Sequence, residues 1–171
     1  VTTAFKAAGF DVTVASAAIG THRTTTAREV QATVRLADVD VQAYDAIAFL
    51  GGPEARQYFQ DPAARRIILD AVRTKKTLGA LSTAPRILVN SGILVGMSVA
   101  ANITERQAIA REGGIASTGE IEQVEVNGAV IITATGSRTA VQRFAQQFVE
   151  AVRIASETRE EKRTRPAEPA R

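Results

Sequence analysis

Continuous apolar runs and apolar helical stripes alternate along this chain. The runs at 46–50 and 77–81 contain only one polar side chain, Thr77, which is typical of parallel strands buried on both faces. Between them, Asp61 and Pro62 form a helix start. The apolar residues that follow share one helical face: Ala64, Ile67, Ile68, Ala71 and Val72. The pattern therefore predicts a strand, a helix and a second strand in succession.

Shorter patterns predict the remaining elements. Helices are predicted at 1–8, from an elbow near Thr83 to 90, from a capping box of Thr104 and Gln107 to 113, and from Ser137 to 152. Strands are predicted at 10–15, 30–36, 98–101, 121–126 and 129–134. The last two flank Asn127 and Gly128, a strong hairpin signal. The small, polar residues 17–28 predict a loop.

The order of these elements predicts the fold class. Strands that alternate with helices, followed by a hairpin, favour an α/β fold with a mostly parallel sheet. Residues 1–156 are predicted to form one domain. Residues 157–171 are charged and contain prolines, with few apolar side chains to pack, so we predict a tail that is disordered or is ordered only by crystal contacts.

Composition narrows the classes of function. The 171 residues include no cysteine, which excludes disulfides, thiolate metal sites and a cysteine nucleophile in this chain. The 21 basic and 18 acidic residues are scattered, so the net charge of +3 forms no basic stripe for nucleic acid. The sequence contains no run of about 20 apolar residues, the length that a membrane-spanning helix needs, so no membrane span is predicted. We expect a cytoplasmic protein with no metal, no cofactor, no nucleic-acid partner and no membrane association.

The stretch 77–88 carries the candidate chemistry. A short strand turns sharply at Ser82, and the next helix begins near Thr83. Ala80 and Ala84 provide the small side chains that a strand-to-helix elbow needs. This geometry places a nucleophile above the carboxyl end of a sheet, with helix amides close enough to bind negative charge.

Ser82 has no evident general base in the sequence. A serine hydroxyl needs a positioned base, whereas a cysteine thiol is already partly ionised at neutral pH. His22 is the only histidine, so a serine hydrolase would require its loop to fold over the elbow. No aspartate followed by a histidine comes after Ser82, the order that α/β-hydrolases use. Three acidic residues near the hairpin either take part in acid–base chemistry or form a solvated strand edge: Glu120, Glu122 and Glu125.

Two further features are candidates for ligand contacts. Gly51 and Gly52 turn the chain at a strand end, but no complete nucleotide-binding glycine pattern accompanies them. Arg56 follows the glycine pair and Arg86 follows the elbow. Each either holds an acidic ligand or lies on the surface.

Four segments together resemble the ThiJ/PfpI family, the single-domain relatives of class I glutamine amidotransferases. Residues 44–52 resemble the family's strand and glycine pair, and 78–85 resemble its nucleophile elbow. Residues 91–96 resemble the segment after the elbow helix. Residues 127–136 resemble the closing hairpin and its small-residue turn. The resemblance extends over about residues 1–152.

This resemblance implies a flavodoxin-like three-layer sandwich that is commonly a homodimer. Family members include glyoxalases or deglycases that act on reactive carbonyls, proteases, chaperones and stress proteins. Their usual site combines an elbow cysteine, a glutamate after the first strand and often a histidine. The family's anion-binding amides correspond to Gly52 and Thr83, and Gly51 and Asn102 are possible pocket residues.

The chain departs from the family site in three places. Ser82 stands at the cysteine position, and Asn102 is the best match to the histidine. The family's first strand and its glutamate would lie ahead of Val1. Because that strand is interior, its absence would expose two neighbouring edges, so we expect residues before Val1 or another segment in the gap.

The leading hypothesis is a ThiJ/PfpI-like domain with an altered elbow. It would act on reactive carbonyls or acyl groups weakly, or not at all, in its serine form, whether Ser82 is natural or replaces a cysteine. One alternative is a non-catalytic stress or interaction module that binds a small anion at Gly52, Ser82 and Thr83. Another is a serine hydrolase that uses Ser82. The expected partners are a small carbonyl or acyl substrate, or a small anion, and a second copy of the chain.

Overall fold

The computed structural model describes residues 1–24 and 29–164. Its helices are α1 (Thr2–Ala7), α2 (Pro62–Arg73), α3 (Pro85–Asn90), α4 (Ile103–Arg111) and α5 (Arg138–Thr164). Its strands are β1 (Ala15–Ser16), β2 (Gly20–Arg23), β3 (Glu29–Ala32), β4 (Val34–Arg35), β5 (Ala46–Leu50), β6 (Thr77–Leu81), β7 (Ser98–Val99), β8 (Ile115–Ala116), β9 (Ile121–Val126) and β10 (Ala129–Ala134). The predictions for 25–28 and 165–171 lie outside the described residues.

A four-stranded sheet in the order β5-β6-β10-β9 forms the centre of the fold. Strand β6 pairs in parallel with both β5 and β10, whereas β9 pairs antiparallel with β10. Elsewhere in the described residues, β1 pairs with β4, β2 with β3 and β7 with β8. The arrangement confirms the predicted α/β fold with a mostly parallel sheet.

Helices cover both faces of this sheet, which gives three layers. Helices α2 and α3 contact β6 on one face, and α5 contacts β6 and β10 on the other. Leu78 and Ala80 of β6 belong to the hydrophobic cluster on the α2 side. Gly79 faces Phe144 and Phe148 of α5, and a Cβ there would lie 2.7 Å from each ring. Glycine at this position therefore lets α5 pack directly on the sheet.

Capping and turn signals predicted several boundaries correctly. The Asp61 carboxylate accepts hydrogen bonds from the Ala63 and Ala64 N–H groups, at 2.8 and 2.9 Å, and so caps α2. Asn127 and Gly128 have φ values of 52° and 83°, the two left-handed residues that a type I′ hairpin turn needs. The hairpin strands β9 and β10 have the predicted bounds.

The strand predicted at 10–15 is shorter than expected. Only Ala15 and Ser16 pair with a neighbouring strand, β4. The predicted alternation of burial is nevertheless present, because Phe10 and Val12 are half-buried and pack against the cluster beneath α5. An alternating pattern becomes a strand only where a neighbour supplies hydrogen bonds. The Val14 carbonyl accepts such bonds from the Thr33 and Val34 N–H groups, but residues 10–13 have none from the described strands.

The strand predicted at 30–36 is interrupted, and part of the predicted loop is a strand. Strands β3 and β4 are separated by Thr33, whose N–H donates to the Val14 carbonyl at 3.0 Å. Within the predicted loop 17–28, β2 pairs antiparallel with β3. Thr21, the one threonine of β2, is β-branched, and β-branched residues favour strands as well as occurring in loops.

The capping box predicted at Thr104 is wrong. Helix α4 begins at Ile103, and Asn102 is the residue that precedes it. The Asn102 side chain makes no cap because it forms hydrogen bonds with Ser82 and Gly136 instead. Tertiary contacts therefore override the local capping signal at this boundary.

Helix α5 extends to Thr164, into the stretch predicted as a disordered tail. Arg159 donates a hydrogen bond to the Ala155 carbonyl at 3.0 Å and forms an ion pair with Asp45 at 3.5 Å. Glutamate, arginine and lysine are favourable helix residues, and no proline occurs in this part of the chain before Pro166. High charge alone therefore did not end the helix.

Candidate functional site

Ser82 occupies the predicted sharp turn between β6 and α3. Its φ of 69° lies in the left-handed region, which is uncommon for a residue with a side chain. Its N–H donates to the Ala134 carbonyl at 2.8 Å, and its carbonyl accepts from the Asn102 N–H at 3.0 Å. These two backbone bonds fix the turn from both sides, and Ala84 beyond it is fully buried.

A chain of hydrogen bonds fixes the Ser82 side chain. Asn102 Nδ2 donates to Ser82 Oγ at 2.9 Å, and Asn102 Oδ1 accepts from the Gly136 N–H at 2.7 Å. The Gly136 N–H sets the orientation of the amide, because a flipped amide would bring two donors together. A Cβ on Gly136 would lie 3.0 Å from Ser82 Oγ, so a small residue is needed there. The serine oxygen therefore faces a donor, and Asn102 offers it no proton acceptor.

The glycine pair approaches the elbow very closely. A Cβ on Gly51 would lie 2.4 Å from the Leu81 carbonyl oxygen and 2.5 Å from the Thr83 nitrogen, so only glycine fits. The Gly52 N–H donates to Thr83 Oγ1 at 3.0 Å, and the Thr83 hydroxyl donates to the Gly52 carbonyl at 3.1 Å. Of the two amides predicted to bind an anion, Gly52 is thus engaged, whereas the Thr83 N–H has no acceptor among the described residues.

His22 is placed in β2, outside this hydrogen-bonded group. It pairs across the β2–β3 ladder with Val30, and its Nε2 lies 2.8 Å from the Ala18 carbonyl oxygen. None of these contacts involves Ser82. The structure therefore does not bring His22 into hydrogen-bond contact with the elbow, which is what the serine-hydrolase hypothesis needs.

The two arginines near the glycine pair and the elbow share a carboxylate from α4. Glu105 has a side chain only 2% exposed, and it lies 3.5 Å from Arg56 and 3.4 Å from Arg86. Arg86 also pairs with Glu112 at 2.9 Å and lies 4.7 Å above the Phe59 ring. The hydrogen bond to Glu112 is the main cause that raises the pKa of Arg86. The carboxylates that pair with these arginines therefore belong to the protein itself.

Two of the three acidic residues in the hairpin region have hydrogen-bond partners of their own. The Glu120 carboxylate accepts from the Ser137 hydroxyl, and Glu122 bonds the Ser117 hydroxyl. Glu125 is on β9, opposite Val130 of β10. No contact joins any of the three to Ser82.

Sequence reasoning missed three residues of this region. Gly136 orients Asn102, Glu105 holds the two arginines, and Arg106 lines a cavity of about 390 Å³ next to Asn102. The only available signal was the small-residue turn at 135–136. Nothing local in the sequence indicates that Glu105 of α4 is buried, because its burial depends on packing against α3.

The sequence model of the DJ-1/PfpI family matches residues 1–151. The chain belongs to the DJ-1/PfpI family. The resemblance to ThiJ/PfpI proteins, which rested on four sequence segments, is thereby confirmed. A search of curated proteins found no match.

Solved structures from the DJ-1/PfpI family have the same fold as this chain. The ThiJ/PfpI domain protein of Brachyspira murdochii is similar with a TM-score of 0.81 and 21% identity, over 89% of this chain and 85% of that one. The DJ-1 protein of Schizosaccharomyces pombe has a TM-score of 0.74 and 16% identity, over 91% and 87%. The putative protease I of Bacteroides thetaiotaomicron has a TM-score of 0.72 and 20% identity, over 88% of each chain. These likenesses confirm the flavodoxin-like layering and concern the fold alone.

No helix within residues 1–24 and 29–164 is long and apolar enough to cross a bilayer. In the same ranges, no three histidine, aspartate or glutamate side chains are grouped so that they could hold a metal ion.

Proposed function

We propose that this DJ-1/PfpI domain binds a small carbonyl or acyl compound at the elbow, and that its serine form turns such compounds over weakly or not at all. The observation that carries this proposal is the 2.9 Å hydrogen bond from Asn102 Nδ2 to Ser82 Oγ. An attacking serine must pass its proton to a base, and an amide N–H group cannot accept it. Ser82 is therefore a contact for the ligand rather than a nucleophile.

The unpaired Thr83 N–H supports the same proposal. Thr83 directly follows Ser82 in the sequence, and its N–H group has no acceptor among the described residues. Backbone N–H groups at such a position bind the oxygen of a carbonyl or of an oxyanion. A thiol at position 82 would not need a base to the same degree, because part of it ionises at neutral pH. The glyoxalase, deglycase or hydrolase chemistry that the family resemblance implies would then become available.

The first prediction concerns Ser82→Cys. We expect this variant to consume methylglyoxal at least about 10-fold faster than Ser82→Ala, equivalent to about 1.4 kcal/mol of transition-state stabilisation. We expect the serine protein to match Ser82→Ala. Because the chain has no other cysteine, alkylation with iodoacetamide followed by mass spectrometry reports on this thiol alone. The pH dependence of the alkylation rate gives the pKa of this thiol directly.

Two outcomes would contradict this proposal in different ways. If Ser82→Cys and Ser82→Ala both consume methylglyoxal only at the background rate, the enzymatic potential of the elbow is rejected. Hydrolysis of p-nitrophenyl acetate by the serine protein, lost in both Ser82→Ala and His22→Ala, would instead establish a serine hydrolase.

A non-catalytic module that binds a small anion is the second candidate function. The engagement of the Gly52 N–H by Thr83 Oγ1 favours its lack of catalysis, because one free amide stabilises an oxyanion less than two, and it leaves Ser82 and Thr83 as the contacts for the anion. This candidate predicts ligand binding without turnover in both Ser82→Cys and the serine protein. Homodimer formation, cytoplasmic location and a stress role are further parts of the proposal, carried by the family resemblance alone. Analytical ultracentrifugation tests the first of them.

A further inference from the structure

Lys76 lies at the end of β6 opposite the elbow. It directly precedes Thr77, the first residue of β6, whereas Ser82 follows the last residue, Leu81. A strand rises about 3.3 Å per residue, so about 20 Å of backbone separates Lys76 from Ser82. The Lys76 N–H donates to the Ala71 carbonyl at 2.8 Å, which fixes the backbone just after α2. Chemistry at Lys76 is therefore separate from the elbow site.

The Lys76 side chain is half-buried beside a second cation, Arg159 of α5. Its ammonium group forms no hydrogen bond or ion pair with any described residue. Asp45 and Asp40 are the two carboxylates whose charge acts on it, and both have partners of their own. Asp45 pairs with Arg159 at 3.5 Å, and the Asp40 carboxylate accepts from the Gln42 N–H at 3.0 Å. Burial thus removes part of the hydration of the ammonium group, and no paired carboxylate replaces it.

This environment favours the neutral amine of Lys76. Burial is the largest cause that lowers its pKa, and the positive charge of Arg159 lowers the pKa further. Asp45 and Asp40 raise the pKa and offset only part of this effect. Only the neutral amine has a free electron pair, and a lysine whose amine is desolvated or lies near another cation is an activated nucleophile.

The adjacent lysine, Lys75, has different surroundings. Its φ of 54° lies in the left-handed region, where the chain turns from α2 into β6. Its side chain is exposed, and its aliphatic stem lies beside Gly128 in the hairpin turn. Lys75 is therefore an internal reference for Lys76 in the same molecule.

We propose that Lys76 is a site of covalent modification by small aldehydes, which its amine takes up as an imine. This inference goes beyond the proposed function, because it uses none of the elbow residues. The neutral Nζ attacks the aldehyde carbon, and a proton moves from the nitrogen to the former carbonyl oxygen, which gives a carbinolamine. The C–O bond then breaks, and the hydroxyl leaves as water with a second proton from the nitrogen. One amine and one aldehyde thus give one imine and one water.

The test labels the whole chain with acetaldehyde and sodium cyanoborohydride, which reduces each imine to a stable N-ethyl amine. Mass spectrometry of the digested protein measures the labelling rate at each lysine, and fragment ions separate Lys76 from Lys75. We expect Lys76 to react at least about threefold faster than Lys75 near pH 7.5, because lowering a pKa by one unit gives about tenfold more neutral amine and weaker nucleophilicity offsets part of this gain.

The pH dependence of the rate ratio separates ionisation from exposure. The reductant has its own pH dependence, which cancels in the ratio of the Lys76 rate to the Lys75 rate. With a lowered pKa at Lys76, this ratio is highest at neutral pH and falls as the pH rises through the pKa values of the two amines. A difference in exposure alone gives a ratio that does not change with pH.

Arg159→Gln tests the role of the neighbouring cation. The substitution removes the charge that lowers the pKa of Lys76 and leaves Asp45 without its ion pair, and both changes favour the ammonium form. We expect the Lys76 rate near neutral pH to fall at least about threefold, with the Lys75 rate unchanged within about twofold. Arg159→Lys, which keeps a cation, is expected to retain most of the Lys76 rate.

Arg143→Gln is the matched control. Arg143 is exposed on the same helix, and its substitution changes the net charge by the same amount. We expect it to leave both labelling rates within about twofold, since charges at the surface are screened by salt. Circular dichroism and thermal unfolding establish that each variant is folded.

Three outcomes would overturn the inference. The first is a Lys76 rate equal to or below the Lys75 rate near neutral pH. The second is a rate ratio that stays constant with pH, and the third is an equal effect of Arg159→Gln and Arg143→Gln on the Lys76 rate.

Discussion

At the scale of single residues, the backbone of Ser82 is as informative as its hydroxyl. A left-handed φ of 69° costs a residue with a Cβ about 1–2 kcal/mol, and glycine would avoid that cost. The bonds to the Ala134 carbonyl and from the Asn102 N–H hold the turn in place despite this cost. A side chain kept at such a position has a use there, and here its hydroxyl oxygen accepts the hydrogen bond from Asn102.

Comparison of Ser82→Gly with Ser82→Ala isolates this backbone strain. Both variants lose the hydrogen bond from Asn102, so their difference in stability reports the left-handed conformation. We expect Ser82→Gly to be the more stable of the two by about 1 kcal/mol in the free energy of unfolding, after allowing for glycine's greater freedom in the unfolded chain. Urea unfolding of the two variants measures this difference. Equal stabilities would show that the elbow is unstrained.

At the scale of elements, close contacts between strands, helices and loops position the elbow. The Gly51 turn after β5 fits against the end of β6, and Glu105 of α4 reaches Arg86 of α3. On the opposite face, Gly79 allows Phe144 and Phe148 to pack on β6. The strand that carries Ser82 is therefore fixed from both faces.

Gly79→Ala tests the packing of α5 on β6. An added methyl group would meet both rings at 2.7 Å, and such overpacking costs about 1–3 kcal/mol in the free energy of unfolding. Gly52→Ala is the matched control, because its φ of 162° suits any residue and the nearest atom to its new Cβ, Glu54 Oε2, lies 3.9 Å away. We expect the control to change stability by less than about 0.5 kcal/mol. Thermal and urea unfolding measure both variants, and equal losses would contradict the packing argument.

At the scale of the whole molecule, the sequence predicted the elements whose signals are local. The Asp61 cap, the Asn127 turn and the buried runs at 46–50 and 77–81 gave correct elements, because each depends on neighbours in the chain. Features that depend on distant partners were missed or misplaced. Asn102 does not cap α4 because Gly136 and Ser82 engage it, and no local pattern encodes that choice.

The same distinction applies to the candidate site. The elbow and the glycine pair were found because sharp turns require small residues at fixed spacing. Arg106 was missed because an unpaired arginine looks like any surface arginine until the cavity around it is known. Likewise, the segment 10–13 has the alternation of a strand, but none of the described strands pairs with it.

The edge of the central sheet at β5 gives the last prediction. Among the described strands β5 pairs only with β6, while β6 pairs on both sides, with β5 and β10. Alternate amides of β5 therefore point away from any strand, and Ala46 and Ala48 share a cluster with Phe10 and Val12 rather than a hydrogen-bond ladder. We expect native-state hydrogen exchange to be slowest throughout β6 and at least about tenfold faster at the outward amides of β5 and at 10–14, since local opening there breaks few bonds. The inward amides of β5 are the internal control. Uniformly slow exchange across β5 and 10–14 would instead mean that another segment or a second copy of the chain covers this edge.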